Sequence, residues 1–309
     1  MRISTSWSHH SSLSAMLDQQ AKLQRTQLQL STGKNILSPS DDPAAATRII
    51  DLNQSLGQTE QYQSNINYAR HRLTMEEGVL DGATEILQRI HELGVQALSD
   101  TNSASSRTAA AIEMEALNGQ LLNLANTKNS NGEYMFAGFK STTQPFSKDA
   151  TNPGAYNYAG DTNSRAIQID AAAQVADGDP GSSVFGIPTG ALPATVPLPG
   201  TINNVFEAIG KLAADLRANT PNPASLGDIS KSLDKVMLTR ASVGTRLNVL
   251  DKQEQINSDS ILNTKTVLSA TEDLDYAEAI SRFTQQTASL QAAQQTFTQV
   301  KKLSLFNYL

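Results

Sequence analysis

Two stretches near opposite ends of this chain repeat their apolar residues in the same seven-residue register. Leu13, Met16, Gln20, Leu23, Gln27 and Leu30 are separated alternately by three and four residues. Ile280, Phe283, Thr287, Leu290, Gln294 and Phe297 repeat that spacing, and Val300 continues it. Such steps keep side chains on one stripe of a helix, and sustained repetition makes the stripe a coiled-coil seam. Gln20, Gln27, Thr287 and Gln294 leave both stripes partly polar. Neither helix then buries enough apolar surface to offset the entropy lost on ordering. Each is expected to need the other, and neighbouring molecules as well.

The bulk composition points the same way. Hydrophobic residues make up 39% of the chain and aromatic ones 5%, with one Trp, which is thin for a single large core. A net charge of -6 provides no basic footprint, arguing against nucleic acid or an anionic membrane surface as partner. The absence of Cys removes disulfides, thiolate nucleophiles and Cys-ligated metals together. Residues 1–18 are rich in Ser and His without the apolar stretch of a secretory signal, and no run is long enough to cross a bilayer. Residues alone suggest the cytoplasm by default, although leaderless export would leave the same trace.

Between the seams the pattern divides into segments. Asp42-Pro43 reads as a helix start, the carboxylate accepting from free backbone N–H groups and Pro taking the first helical position. For the Asp41-Asp42 pair, capping is a better reading than acid–base or metal chemistry, because no ligand pattern surrounds it. Leu52, Thr59, Ile66, Leu73, Leu80 and Leu87 then fall seven apart. A helix over 43–98 would be roughly 80 Å long at 1.5 Å per residue. Its interior Gly57, Gly78 and Gly82 each cost about 1 kcal/mol, so only continuous packing explains it. A second helix is expected from Ala104 to about Lys128, with Ile112, Met114, Leu117, Leu121 and Leu124 inward.

From Asn129 to about Thr201 turn-forming residues cluster. Short runs at Tyr134–Ala137 and Ala166–Ile169 read as strands. Helical periodicity returns with Phe206, Ile209, Leu212 and Leu216, and then with Leu226, Ile229, Leu233, Val236, Arg240, Val243, Leu247 and Leu250. Arg240, Glu254 and Asn257 occupy positions on this second seam; they could set register or be solvated where the bundle is open. The expected fold is mainly α with an inserted β domain, a long antiparallel helical bundle or coiled-coil rod with its N- and C-terminal helices paired. Residues 1–42 and 273–309 are the halves of a terminal coiled-coil domain, 43–130 and 203–272 the halves of the long bundle, and 131–202 the β insertion.

No catalytic, cofactor or metal constellation is present. The four His include no H-E-x-x-H pair; His9 and His10 diverge on a helix, and His71 and His91 read as solvated. No nucleophile elbow, Walker A loop or dinucleotide fingerprint occurs. Asp177-Gly178-Asp179 lacks the ladder and distal Glu of a calcium loop and reads as a turn. What remains is the apolar close, with Leu305, Phe306 and Tyr308 in Leu303–Leu309, which reads as an insertion between neighbouring subunits.

With these residues in view, the chain resembles the bacterial flagellin superfamily. Ser31–Pro43 follows the family's T-G-K-x-I-x-x-P-S-D-D-P run, and Met1–Thr5 is a typical opening. Phe136-Ala137-Gly138, Pro145-Phe146, Tyr158–Asp161, Val243–Asn248 and Gln291–Gln294 resemble its later motifs. The resemblance implies a non-enzymatic structural adaptor joining flagellar hook to filament, with a filament-forming flagellin as the alternative. Implied partners are copies of itself, a second hook-associated junction protein, flagellin, the flagellar type III export apparatus and an export chaperone. It also implies a place outside the cell, reached without a cleaved signal. Leu13, Met16, Leu23, Leu30, Ile280, Phe283, Leu290, Phe297 and Val300 are then the expected assembly seam, sealed by Leu305, Phe306 and Tyr308.

Overall fold

A computed structural model describes residues 5–186, 203–220 and 222–302. Among them run helices α1 (Thr5–Thr32), α2 (Pro43–Leu98) and α3 (Ala104–Ala125), strands β1 (Phe146–Lys148), β2 (Tyr156–Tyr158), β3 (Ala166–Gln168) and β4 (Gln174–Ala176), and helices α4 (Gly181–Val184), α5 (Val205–Arg217), α6 (Pro223–Glu272) and α7 (Tyr276–Lys302). The fold is mainly helical with a small β insertion, as the patterning predicts. Two compact units emerge: one holds the chain up to Thr59 and from Asp259, the other Glu60–Ser258. The divisions fall inside α2 and α6, whereas the segment boundaries expected at 42/43 and 272/273 mark the start of α2 and the end of α6.

The Glu60–Ser258 unit holds the principal core. Ile66, Leu73, Leu80 and Leu87 of α2 are fully buried at seven-residue intervals, and Ile229, Val236, Val243 and Leu250 of α6 repeat them. Gly94 leaves room where three helices meet: a Cβ there would lie 2.8 Å from Leu226 and 3.3 Å from Leu212. α5 packs on α3 through Phe206, Ile209, Leu212 and Leu216, all buried. On α3 the buried stripe is Arg107, Ala111, Met114, Asn118, Leu121 and Ala125. Ile112, expected inward, is 56% exposed, because it stands one residue off that stripe.

The polar seam residues of α6 all have partners, although Arg240 and Glu254 also stay partly in solvent. Arg240 pairs with Glu77 at 2.5 Å and Asp81 at 2.6 Å. Glu254 accepts from Gln63 at 3.1 Å and pairs with Arg70. Asn257, buried, donates to the Ile169 carbonyl at 3.2 Å. They fix how α6 meets α2 and the insertion.

Among its described residues the insertion contains two separate antiparallel pairs, β1 with β2 (Phe146 opposite Tyr158) and β3 with β4 (Ile167 opposite Val175). Phe146 packs against Tyr158, Phe185 and Phe206 with ring centroids 5.0–5.7 Å apart, joining the β1–β2 pair to α5. Ala166–Gln168 is a strand as expected, whereas Tyr134–Ala137 is not. Tyr134 makes one isolated bridge to Lys128, and Met135, Phe136 and Ala137 are all buried on a turning backbone. The reason is Gly138, at φ +62° and packed so that a Cβ would meet the Asp161 carbonyl oxygen at 2.6 Å. A chain bent this tightly cannot alternate its side chains across a sheet.

Candidate assembly interface

In the terminal unit, α1 and α7 pack together. Gln19 Nε2 donates to the Gln286 carbonyl at 3.4 Å, and the Leu274 N–H donates to the Gly33 carbonyl at 2.9 Å. Numbers rise along one helix as they fall along the other, so the pair is antiparallel. A clip closes its end: the Asn35 N–H donates to the Glu272 carbonyl at 2.7 Å, Lys34 bridges Asp273, and Lys34 is ion-paired with Glu272. Gly33 permits it at φ +70°, where a Cβ would lie 2.8 Å from Tyr276 Oη.

The turn between the helices is built by the two acids of the Ser-Pro-Ser-Asp-Asp-Pro run. Asp42 Oδ1 accepts from the Ala45 N–H at 3.0 Å, capping α2 as expected. Asp41 Oδ2 accepts from the Leu37 and Ser38 N–H groups, both at 3.1 Å, and Oδ1 meets Arg25 at 2.8 Å. Desolvation pushes the Asp41 carboxyl up, but these two hydrogen bonds and Arg25 outweigh it and hold the group below its usual range.

Met16, Leu23 and Leu30 are half-buried, as are Phe283, Leu290 and Phe297. The intermediate positions lie elsewhere than expected. Leu13 is 44% exposed and Ile280 54%, and Gln20, Gln27 and Gln294 point outward. Their places within the chain are taken by Gln19 and Thr26 on α1 and by Ala279, Gln286 and Ala293 on α7. On both helices the second row stands three residues after the apolar one instead of three before it. Thr287 remains half-buried. Small Ala279 and Ala293 are the sequence signal for this choice, since they allow close approach. Val300 lies on α7, and Leu305, Phe306 and Tyr308 lie outside the described residues.

Leu13, Leu17, Leu28, Tyr276 and Ile280 are thereby left between 44% and 58% exposed on the terminal pair. The four aliphatic side chains among them have no acid–base or nucleophilic chemistry; they can only be covered. Among the described residues no group of three or more His, Asp and Glu could hold a metal, and no helix is long and apolar enough to cross a membrane.

Over 318 aligned residues, 99% of each chain, the sequence is 33% identical to flagellar hook-associated protein 3 of Escherichia coli (strain K12). The chain belongs to the flagellar hook-associated protein 3 family. It is a structural component of the bacterial flagellum. Residues 3–141 match the bacterial flagellin N-terminal helical region. Similarity to filament subunits is partial: polar flagellin F of Vibrio parahaemolyticus serotype O3:K6 (strain RIMD 2210633) is 29% identical over 55% of this chain and 40% of its own length. The crystal structure of flagellar hook-associated protein-3 from Legionella pneumophila has the same fold, with TM-score 0.64 and 24% identity over 72% of this chain and 98% of that one.

In this hook-associated protein 3 family member, one arrangement escaped sequence reasoning. Asp177-Gly178-Asp179, expected as a turn, is irregular chain directly after β4, and it is clamped. Asp177, buried, meets Arg72 at 3.2 Å and Arg165 at 2.5 Å, while Arg246 donates to the Ala176 carbonyl at 3.2 Å and pairs with Asp179. Glu76, 2% exposed, accepts from the Asp179 N–H. Besides the Asp-Gly-Asp run, charges at Arg72 and Glu76 beside the apolar heptads of α2 are the trace of this in the sequence.

Proposed function

We propose that the chain is the adaptor between hook and filament, and that its terminal pair completes its packing only among neighbouring subunits. The observation carrying this reading is the apolar surface that α1 and α7 leave uncovered by their own chain, Leu13 and Ile280 included. Burying such side chains on neighbours is worth about 25 cal/mol per Å² of apolar area. The seam of Leu13, Met16, Leu23, Leu30, Ile280, Phe283, Leu290, Phe297 and Val300, closed by Leu305, Phe306 and Tyr308, is the assembly surface. Copies of this chain, flagellin and a second hook-associated junction protein are its partners. Delivery runs through the flagellar type III export apparatus with a chaperone, to a place outside the cell, and no substrate is turned over. As a runner-up, a filament-forming flagellin fits the terminal helices but is weakened by the partial flagellin matches. Leu290→Asp with Phe297→Asp should leave secretion intact and abolish incorporation and swimming; normal swimming by that double variant would defeat the proposal. Seeded growth of long filaments from pure protein would favour the runner-up.

A further inference from the structure

Asn followed by Gly occurs twice in the chain, at Asn118-Gly119 and Asn131-Gly132. Glycine has no side chain to shield its nitrogen, so in this pair the Gly backbone nitrogen can attack the amide carbon of the Asn side chain. The fold treats the two copies oppositely. Asn118 lies inside α3 and is 5% exposed; its Nδ2 donates to Tyr156 Oη at 3.3 Å and to the Phe206 carbonyl at 3.0 Å. The helix also commits the Gly119 N–H to the carbonyl four residues back. Asn131 and Gly132 are both exposed, on the turn between the bridged residues Lys128 and Tyr134. The Asn131 side chain makes no hydrogen bond among the described residues. Gly132 takes φ +79°, and no atom lies within 4 Å of the place a Cβ would occupy.

The rest of the turn is tied down. Asn129 Oδ1 accepts from the Asn131 and Glu133 N–H groups at 2.9 and 3.0 Å, and the Asn129 N–H donates to the Glu133 carbonyl at 2.8 Å. Glu133 Oε2 accepts from Asn129 Nδ2 at 2.9 Å and meets Arg72 of α2 at 3.2 Å. Lys128 Nζ lies 4.6 Å from the centre of the Tyr134 ring. Both charged side chains of the turn are thus engaged, and the reaction needs only solvent. The Gly132 N–H donates to the Asn129 carbonyl at 3.0 Å, so attack follows opening of that one exposed bond.

We propose that Asn131 is a site of spontaneous deamidation, and that its isoaspartyl product loosens Glu133 from Arg72. The Gly132 nitrogen bonds to Asn131 Cγ and gives up its proton, while the Cγ–Nδ2 bond breaks and ammonia carries that proton away. Water then adds to either carbonyl of the resulting succinimide ring and breaks one of its C–N bonds. Opening on one side gives Asp. Opening on the other gives isoaspartate, whose main chain runs through the former side-chain methylene. Both products carry a new carboxylate, but only isoaspartate adds a backbone atom between Asn129 and Glu133, where three hydrogen bonds fix the spacing. Glu133 then cannot hold Asn129 and Arg72 together, and one link to the Arg72 that clamps Asp177 is lost.

The site holds whatever the terminal helices assemble with. Its test is peptide mapping of the folded full chain through prolonged incubation in mildly alkaline buffer. The tryptic peptide 129–140 should gain the mass of an amide converted to an acid, placed at Asn131 by fragmentation and methylated by a protein isoaspartate methyltransferase. Asn118 should react slower by about tenfold or more, since a buried helix opens far less often than an exposed turn. No gain at Asn131, or an equal gain at both sites, would overturn the proposal. In denaturant the two rates should converge; Asn118 lagging there as well would overturn the role given to the fold. Asn131→Gln should fold as the parent does and abolish the gain. Fresh Asn131→Asp carries the charge without the extra backbone atom and should melt like the parent, whereas the isolated isoaspartyl form should melt lower. Equal melting of all three would sink the link to Glu133 and Arg72.

Discussion

Glu76, on α2, accepts a 3.1 Å hydrogen bond from the backbone N–H of Asp179, which stands 103 residues later beyond β4. Burial pushes the Glu76 carboxyl up to about 8; the Asp179 charge adds to this, and Arg246, the Asp179 hydrogen bond and Arg72 oppose it. The unfolded group titrates near 4.5, so the folded state binds the extra proton between those two values. Stability linked to Glu76 is complete below the unfolded value, declines as pH rises, and is lost above the folded one. Glu76→Gln should flatten the pH dependence of thermal unfolding of the full chain between about pH 5 and 8. The gain at pH 8 should be a few kcal/mol, at about 1.4 kcal/mol per pKa unit. An unchanged pH profile would show that Glu76 is ionised in the clamp.

Gly138 and Gly57 should respond to Ala in opposite directions. At Gly138 the positive φ and the Asp161 and Asn163 carbonyl oxygens, 2.6 and 2.8 Å from an added Cβ, predict destabilisation by about 1–3 kcal/mol. At Gly57, inside α2, no atom lies within 4 Å of an added Cβ, so Ala should stabilise by roughly 0.5–1 kcal/mol. Denaturant midpoints of the two variants give the comparison.

Asn257→Ala removes the donor to the Ile169 carbonyl and leaves that oxygen buried. The cost should be about 1–3 kcal/mol. Arg240→Ala breaks pairs in which the guanidinium is itself more than a third exposed, and its cost should be under about 1 kcal/mol. Amide exchange at Ala173, which donates across the β3–β4 turn, should quicken in the first variant and not in the second.

Gly33→Ala should loosen the clip that joins the exits of α1 and α6. The Leu274 amide, which donates to Gly33, should lose protection, while amides around Leu73 and Leu80 keep theirs. Equal protection of Leu274 in both proteins would mean that the clip tolerates a side chain there. In the unmodified monomer, amide protection should concentrate in roughly residues 43–270 and the adjoining clip, with the remainder of both terminal helices exchanging fast until neighbours cover them.

Much of this architecture was written in local pattern. The start of α2 at Pro43 and its run to Leu98 followed from a cap, a proline and a seven-residue apolar interval, all readable without knowing what lies across the helix. The same holds for the buried faces of α5 and α6. Tyr134–Ala137 alternates like a strand but is not one, because Gly138 turns the chain against the Asp161 and Asn163 carbonyls, partners that spacing does not reveal.

The terminal helices mark the boundary most clearly. Heptad spacing determined that Met16, Leu23 and Leu30, and likewise Phe283, Leu290 and Phe297, share one stripe, because helix geometry alone puts them there. It could not decide which flank joins them, since a row three residues before and a row three residues after satisfy the same periodicity. Only packing of α1 against α7 chose Gln19, Thr26, Ala279 and Gln286, and in doing so left Leu13 and Ile280 facing outward. The clamp on Asp177 and Asp179 is likewise tertiary, because charges from α2, the β insertion and α6 meet there only once the chain has folded.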